Sequence, residues 1–335
     1  LVIRRQRQMC IRDSGGTVGD IESYPFIEAV RQFRWEIGEQ NSLVIHLTLL
    51  PYLSAAAEIK TKPTQHSVKK LMESGLNADI IVCRTEHRLT SDLRKKIALF
   101  CNVDVKSVIE SIDAKTIYDV PLLMLEEKLD KVVLKKLKIK SKTKADLSSW
   151  KKFVYNLKNP KNEVSIGLIG KYVELQDSYK SILESFIHAG SVNSVKVNVH
   201  PIHSESINKT NVKSLMSNLD GVLVAPGFGD RGIEGKIISI EYARVNDIPF
   251  LGICLGMQMA VIEYARNVIG LKNANSTEMD YHTKHPVISL MEDQVNVEKK
   301  GGTMRLGSWK CEISKGTLTH DTVSYTHLRA HETVV

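Results

Sequence analysis

The second half of this 335-residue chain alternates short apolar runs with helical stretches at a spacing that few folds can accommodate. Val164 to Ile169, Val195 to His200, Gly221 to Val224 and Phe250 to Ile253 read as strands of the buried type. Helical stretches lie between them, around Ser178 to Ala189, Asn211 to Asn218 and Gly235 to Val245. The first half carries the same alternation more faintly: Ser42 to Leu50 and Asp79 to Cys83 as buried strands, with Ser67 to Ser74 helical and Gly75 as its C-cap. Such alternation implies parallel sheets with helices on both faces. The expected fold class is therefore α/β, with two doubly wound parallel-sheet domains.

Composition narrows what these domains do. The hydrophobic fraction of 42% and charged fraction of 25% are those of a globular chain, and no apolar run reaches the ~20 residues that cross a bilayer. The five cysteines are scattered and show no CxxC pairing, so neither a disulfide framework nor a zinc site is indicated, and a reducing cytoplasm is the default. The net charge of +8 is concentrated in two places. From Glu126 to Lys152 ten Lys stand against four acids, and the first fourteen residues add four Arg against Asp13. The Lys-rich stretch lacks interleaved aromatics and reads as a solvated helix face and linker, so neither nucleic acid nor membrane is expected as a partner. The expected division is a non-native leader at 1–14, a first domain at 15–125, a linker at 126–162, a second domain at 163–320 and a non-native tail at 321–335.

The last apolar run of the second half ends in Gly252-Ile253-Cys254-Leu255-Gly256. A strand that must turn sharply into a helix and leave a nucleophile at the bend needs this layout. Two glycines remove the Cβ atoms that would crowd the elbow, and the helix that follows turns its positive end toward the sulfur. Upstream, Val224-Ala225-Pro226-Gly227-Phe228-Gly229-Asp230-Arg231-Gly232 follows another strand, at the sheet edge where doubly wound folds place ligands. The Gly227 amide, with that of Leu255, could form an oxyanion hole.

The motif around Cys254, extended to Met257 and Gln258, resembles the nucleophile motif of class I glutamine amidotransferases. Longer stretches narrow the resemblance to the CTP synthase family: PGFGDRGIEGK (Pro226 to Lys236), FLGICLGMQMAVIEYARNV (Phe250 to Val268), NANSTE (Asn273 to Glu278) and GGTMRLG (Gly301 to Gly307). The first half agrees through GGTVGDIES (Gly15 to Ser23), KTKPTQHSVK (Lys60 to Lys69), KIALFCNV (Lys96 to Val103) and SIDAKTIYDVP (Ser111 to Pro121). The resemblance implies a P-loop-type synthetase domain, incomplete here, followed by a flavodoxin-like glutaminase domain. Together they would aminate UTP to CTP with ATP, using ammonia from glutamine.

Residue by residue, the resemblance makes Cys254 the nucleophile and Gly227, Leu255, Gly256, Met257, Gln258, Glu278 and Arg305 the glutamine contacts. Lys60, Thr61, Lys62, Pro63, Thr64, Gln65 and Lys96 match the UTP and CTP site; cations and hydroxyls together suit a triphosphate. Asp20, Ile21 and Glu22 match the segment at which CTP inhibits, and Ile112, Asp113 and Ala114 an ATP segment. The family uses Mg²⁺ with ATP and forms a homotetramer. Three departures stand against full activity. No G-x-x-x-x-G-K-[ST] loop is present. Asp13-Ser14 stand where a magnesium-binding Glu belongs, so no metal ligand is assigned. The glutaminase His-Pro-Glu motif is also missing: His285-Pro286 is followed by Val287, and His331-Glu332 has the wrong spacing. The polypeptide is accordingly expected to be weak or inactive by itself, since a general base contributes roughly 10²–10⁴-fold. A stand-alone glutaminase subunit and a silent assembly module are the alternative readings.

Overall fold

The structure is a computed structural model. It describes residues 13, 15–141, 143–289, 310–317, 320–321 and 327–329. Most of the Arg-rich start and of the last fifteen residues, Arg305 and His331-Glu332 therefore lie outside the described residues. The chain divides into two compact units between Tyr155 and Asn156.

In the first unit, helix α1 (Tyr24–Ile37) precedes strand β1 (Ile45–Leu50). A two-strand ribbon of β2 (Tyr52–Leu53) and β3 (Glu58–Ile59) leads into α2 (Lys62–Glu73). There follow β4 (Ile80–Thr85), α3 (Ser91–Cys101), β5 (Val108–Ile112), α4 (Val120–Glu126) and α5 (Leu129–Lys136). The sheet is parallel, in the order β1-β4-β5. Side chains alternate across it as strand geometry requires. Ile81 and Cys83 face Val68, Leu71 and Ile97 of α2 and α3, while Ile80, Val82 and Ile109 face Met124, Leu129, Val132 and Val133 of α4 and α5. Thus α5, inside the Lys-rich segment, lays its apolar stripe on the sheet.

Edge strand β1 departs from the expectation of full burial. His46, Thr48 and Leu50 are buried, but Ile45, Leu47 and Leu49 are 45%, 66% and 58% exposed. The α4–α5 layer covers β4 and β5 only, so the outer face of β1 has no cover among the described residues.

Behind β5 sits a buried ionic cluster. Glu110, almost wholly buried, accepts from Arg88 at 2.7 Å and from the Leu89 amide at 2.6 Å. Arg94 forks onto Glu127 at 2.7 and 3.0 Å, and the Glu110 amide donates to Glu127 at 2.9 Å. Burial pushes the Glu127 carboxyl up, but the Arg94 fork and the Glu110 amide outweigh it and hold it below the usual range. A carboxyl depressed by folding adds stability above its unfolded value, near 4.5, and loses it as pH falls through the folded value. Glu127→Gln should therefore weaken this unit by about 1–3 kcal/mol at neutral pH. Hydrogen exchange of β5 should show the deficit closing as the pH is taken below 4.5.

Helix α6 (Ser148–Lys158) spans the division between the units. The second unit runs β6 (Asn162–Gly170), α7 (Lys180–Asn193), β7 (Val195–His203), α8 (Val212–Met216), β8 (Gly221–Val224), α9 (Ile233–Val245), β9 (Phe250–Gly252) and α10 (Leu255–Asn267). A short pair of strands, β10 (Asn275–Ser276) and β11 (Pro286–Ile288), comes after. The four-stranded sheet is parallel throughout, in the order β7-β6-β8-β9. Val222 and Val224 face Ile237, Ile240, Met259 and Ile262 of α9 and α10. Leu168 and Leu223 face the opposite side, with Tyr179, Ile182 and Phe186 around α7. Both units therefore carry helices on both sheet faces, as the alternation implies. No described helix is long and apolar enough to cross a membrane.

Candidate active site

At the carboxyl edge of the second unit's sheet, Ile253 and Cys254 are the two residues between β9 and α10, and Cys254 is the N-cap of the helix. Its backbone stands at φ 52°, ψ −107°, a region that a residue with a Cβ enters only under constraint. The constraint is visible. The Ile253 amide donates to the Val224 carbonyl at 3.1 Å, tying the elbow to β8, and the Gly256 amide closes a turn onto the Ile253 carbonyl at 2.9 Å. A Cβ on Gly256 would stand 2.2 Å from the Val224 oxygen, and one on Gly252 would stand 2.5 Å from the Gly256 backbone. Glycine is thus required on both sides of the bend, and the thiol is left exposed.

The loop after β8 lies alongside. A Cβ added to Gly227 would stand 3.8 Å from the Leu255 side chain, so the two candidate oxyanion amides belong to adjoining segments. Two buried lysines hold this loop from below. Lys171, at the end of β6, donates to the carbonyls of Phe228 at 2.5 Å and Gly229 at 2.9 Å. Lys236, on α9, is wholly buried and donates to the Ala225 carbonyl at 2.9 Å. Burial pushes the Lys236 ammonium down to about 8, the Lys171 charge pushes the same way, and Cys254 opposes them. Burial also lowers Lys171, with Arg231 adding to it and Asp230, Glu205 and Glu278 acting against it. The Glu278 amide is fixed by the Ser276 hydroxyl at 3.2 Å.

The structure thus gathers Cys254, Gly227, Leu255 and Gly256 around one sheet edge. Leu255 and Gly256 are buried, so only their backbones can face a ligand, whereas Met257 is half exposed. Among the described residues no histidine bonds to the Cys254 sulfur. His285 serves the β10–β11 pairing, its carbonyl accepting from the Asn275 amide at 3.1 Å.

In the first unit, Leu50, Thr85 and Ile112 stand in one row across the sheet's carboxyl edge. Lys60 to Gln65 follow β1 and its ribbon, and Ile112 to Ala114 end β5, so both candidate nucleotide segments emerge at this edge. Lys62 and Pro63 open α2, whose N-terminal amides suit an anion. Thr61, Thr64 and Gln65 are instead buried and bonded inward: Gln65 donates to Thr61 Oγ1 at 3.1 Å, and Thr64 to Thr48 Oγ1 at 3.1 Å. Lys60 pairs with Glu58, and Asp113 accepts from Arg84 at 2.9 Å. Lys96 is exposed on α3. Asp20, Ile21 and Glu22 are also exposed, but a Cβ added to the adjacent Gly19 would stand 3.5 Å from the side chain of Lys70, near the far end of α2. Eight residues of helix separate Lys62 from Lys70, roughly 12 Å, so within this chain the candidate segment at Asp20 to Glu22 lies apart from Lys60 and Lys62. Asp13 is exposed and accepts from the Gly15 amide at 3.0 Å. No group of three or more His, Cys, Asp or Glu among the described residues could hold a metal ion.

Sequence reading missed Lys171 and Lys236. Each had a signal: a lysine closing an apolar strand, and a lysine inside the apolar face of a helix.

Comparison with known proteins gives the same two halves. A family model described as CTP synthase N-terminus matches residues 2–139, and one described as glutamine amidotransferase class-I matches 174–334. The CTP synthase of Christiangramia forsetii is 68% identical over 310 residues, covering 92% of this chain and 57% of that protein. That of Flavobacterium johnsoniae is 63% identical over 96% of this chain and 61% of its own length, and that of Methanocaldococcus jannaschii 55% identical over 92% and 58%. The chain thus spans less than two thirds of these relatives. A solved structure, the glutaminase domain of Trypanosoma brucei CTPS with bound acivicin, is 32% identical with a TM-score of 0.45, over 50% of this chain and 64% of that one.

Proposed function

The chain belongs to the CTP synthase family, and from that premise we propose that it serves the glutamine-dependent amination of UTP to CTP. The carrying observation is the strained Cys254 elbow beside the Gly227 loop. In this reading Cys254 Sγ attacks the side-chain carbonyl carbon of glutamine. The C–N bond breaks, nitrogen leaves as ammonia, and a γ-glutamyl thioester remains for water to hydrolyse. The amides of Gly227 and Leu255 receive the developing oxyanion, and Glu278, with Arg305, holds the amino-acid end of glutamine. The first unit binds UTP through Lys60 and Lys62 and ATP along Ile112 to Ala114, with CTP inhibiting at Asp20 to Glu22. ATP phosphorylates the 4-oxygen of UTP, and ammonia displaces the phosphate. Magnesium would neutralise the nucleotide phosphates; the residues described here do not form its site, and no step is assigned through it. A cytoplasmic homotetramer follows from the same family reading.

The test for the second unit is a diazoketone analogue of glutamine, which should attach to Cys254 and to no other cysteine; a chain left unmodified at Cys254 would refute the nucleophile assignment. For the first unit, UTP should slow acylation of Lys60 and Lys62 at least several-fold while leaving the lysines of α5 unaffected. Equal rates with and without UTP would remove those two residues from the nucleotide site.

A further inference from the structure

We propose that Lys171 and Lys236 are positioning residues of the glutamine site, a pair of buried ammonium groups that hold the glycine loop in the form able to accept the oxyanion. The inference rests on the glutaminase reading of the second unit. Between them the two lysines capture the carbonyls of Ala225, Phe228 and Gly229, which bracket Gly227 on both sides. A peptide plane sets each carbonyl opposite the following N–H, so turning the Phe228 and Gly229 carbonyls inward turns the amides of Gly229 and Asp230 away from the lysines. Gly227 and Gly229 carry no side chains that could fix the loop, and Phe228 is half exposed. The other ties lie toward the ends of the loop, where the Ala225 amide donates to the Ile169 carbonyl at 2.9 Å and Arg231 pairs with Glu205 at 2.8 Å, so the two cations hold its middle.

The lysines stand under the chemistry and not beside it. Lys236 bonds the residue after Val224, and the Val224 carbonyl is the atom to which the Ile253 amide is tied and against which Gly256 is pressed. One strand end therefore links the α9 lysine, the loop and the elbow. Burying an ammonium opposes folding unless it is well bonded, so two of them beneath one loop are a device for orientation and not for stability.

The experiment compares two reagents on Cys254 in wild type, K236M and K171M. Iodoacetamide needs only an accessible thiol, whereas the diazoketone analogue of glutamine also needs the oxyanion loop. Iodoacetamide rates should stay within about twofold of wild type, and analogue rates should fall tenfold or more, as small misplacements of a reacting group can do. Exchange of the amides of residues 225–231 should quicken in both variants. Retained analogue labelling, or an equal loss with both reagents, would overturn the proposal. If K236M fails to fold, K171M decides alone. Should wild type take iodoacetamide at Cys254 but no analogue, the glutaminase reading fails instead. Loop exchange then judges the clamp: quickened exchange supports it, and unchanged exchange overturns it.

Discussion

Gly256→Ala should collapse the elbow and with it all selective chemistry at Cys254. The new methyl would stand 2.2 Å from the Val224 carbonyl oxygen and 2.9 Å from its carbon. Neither is the end of a flexible side chain: Val224 lies within β8, paired to β6 and β9. To make room, α10 must leave the sheet, which breaks the Ile253–Val224 bond and unpacks Leu255, Met259 and Ile262 from the core. Overpacking where neither partner can move costs about 3 kcal/mol or more. The second unit should melt well below wild type, and analogue labelling should disappear. Unchanged labelling in G256A would mean that the close approach of helix and strand is not what shapes the site.

The second large effect runs the other way. Cys254→Gly should stabilise the second unit while ending all chemistry at this position, the strain it relieves being worth about 1–3 kcal/mol before the unfolded chain is counted. At φ 52°, ψ −107° a Cβ is strained, and glycine tolerates such angles far better. Glycine's extra freedom in the unfolded chain offsets part of the gain, so about 1 kcal/mol is the expected net. Cys254→Ala keeps the strain and should leave stability near wild type. Denaturant midpoints of the three proteins in one buffer are the check. Strain retained at a position where glycine would relieve it is the energetic mark of a residue kept for its side chain.

The sequence carried the second unit almost entire. Gly221 to Val224 is both the expected and the observed strand, and Gly252 and Gly256 crowd where their spacing said they should. The first unit was less legible because its signals are mixed. The core of β5 holds Glu110, whose carboxylate interrupts the apolar run that would have marked a strand. Helix α2 begins at Lys62, five residues before the expected start at Ser67, because Lys60 to Gln65 read as a binding loop; Pro63 in the first turn was the overlooked sign of a helix start. The same packing turns Thr61, Thr64 and Gln65 inward, which no spacing rule reveals. Lys171 and Lys236 were hidden for the opposite reason. A lysine is presumed solvated, and only the fold brings both beneath one loop.

The most direct test of the glutaminase reading is the rate at which the diazoketone analogue modifies Cys254 as L-glutamine is added. Saturable slowing is expected, with L-glutamate far less effective and with iodoacetamide modification of the denatured chain unaffected. A rate that is the same at every glutamine concentration would contradict the account, because the thiol would then be exposed at a bend without a glutamine site around it.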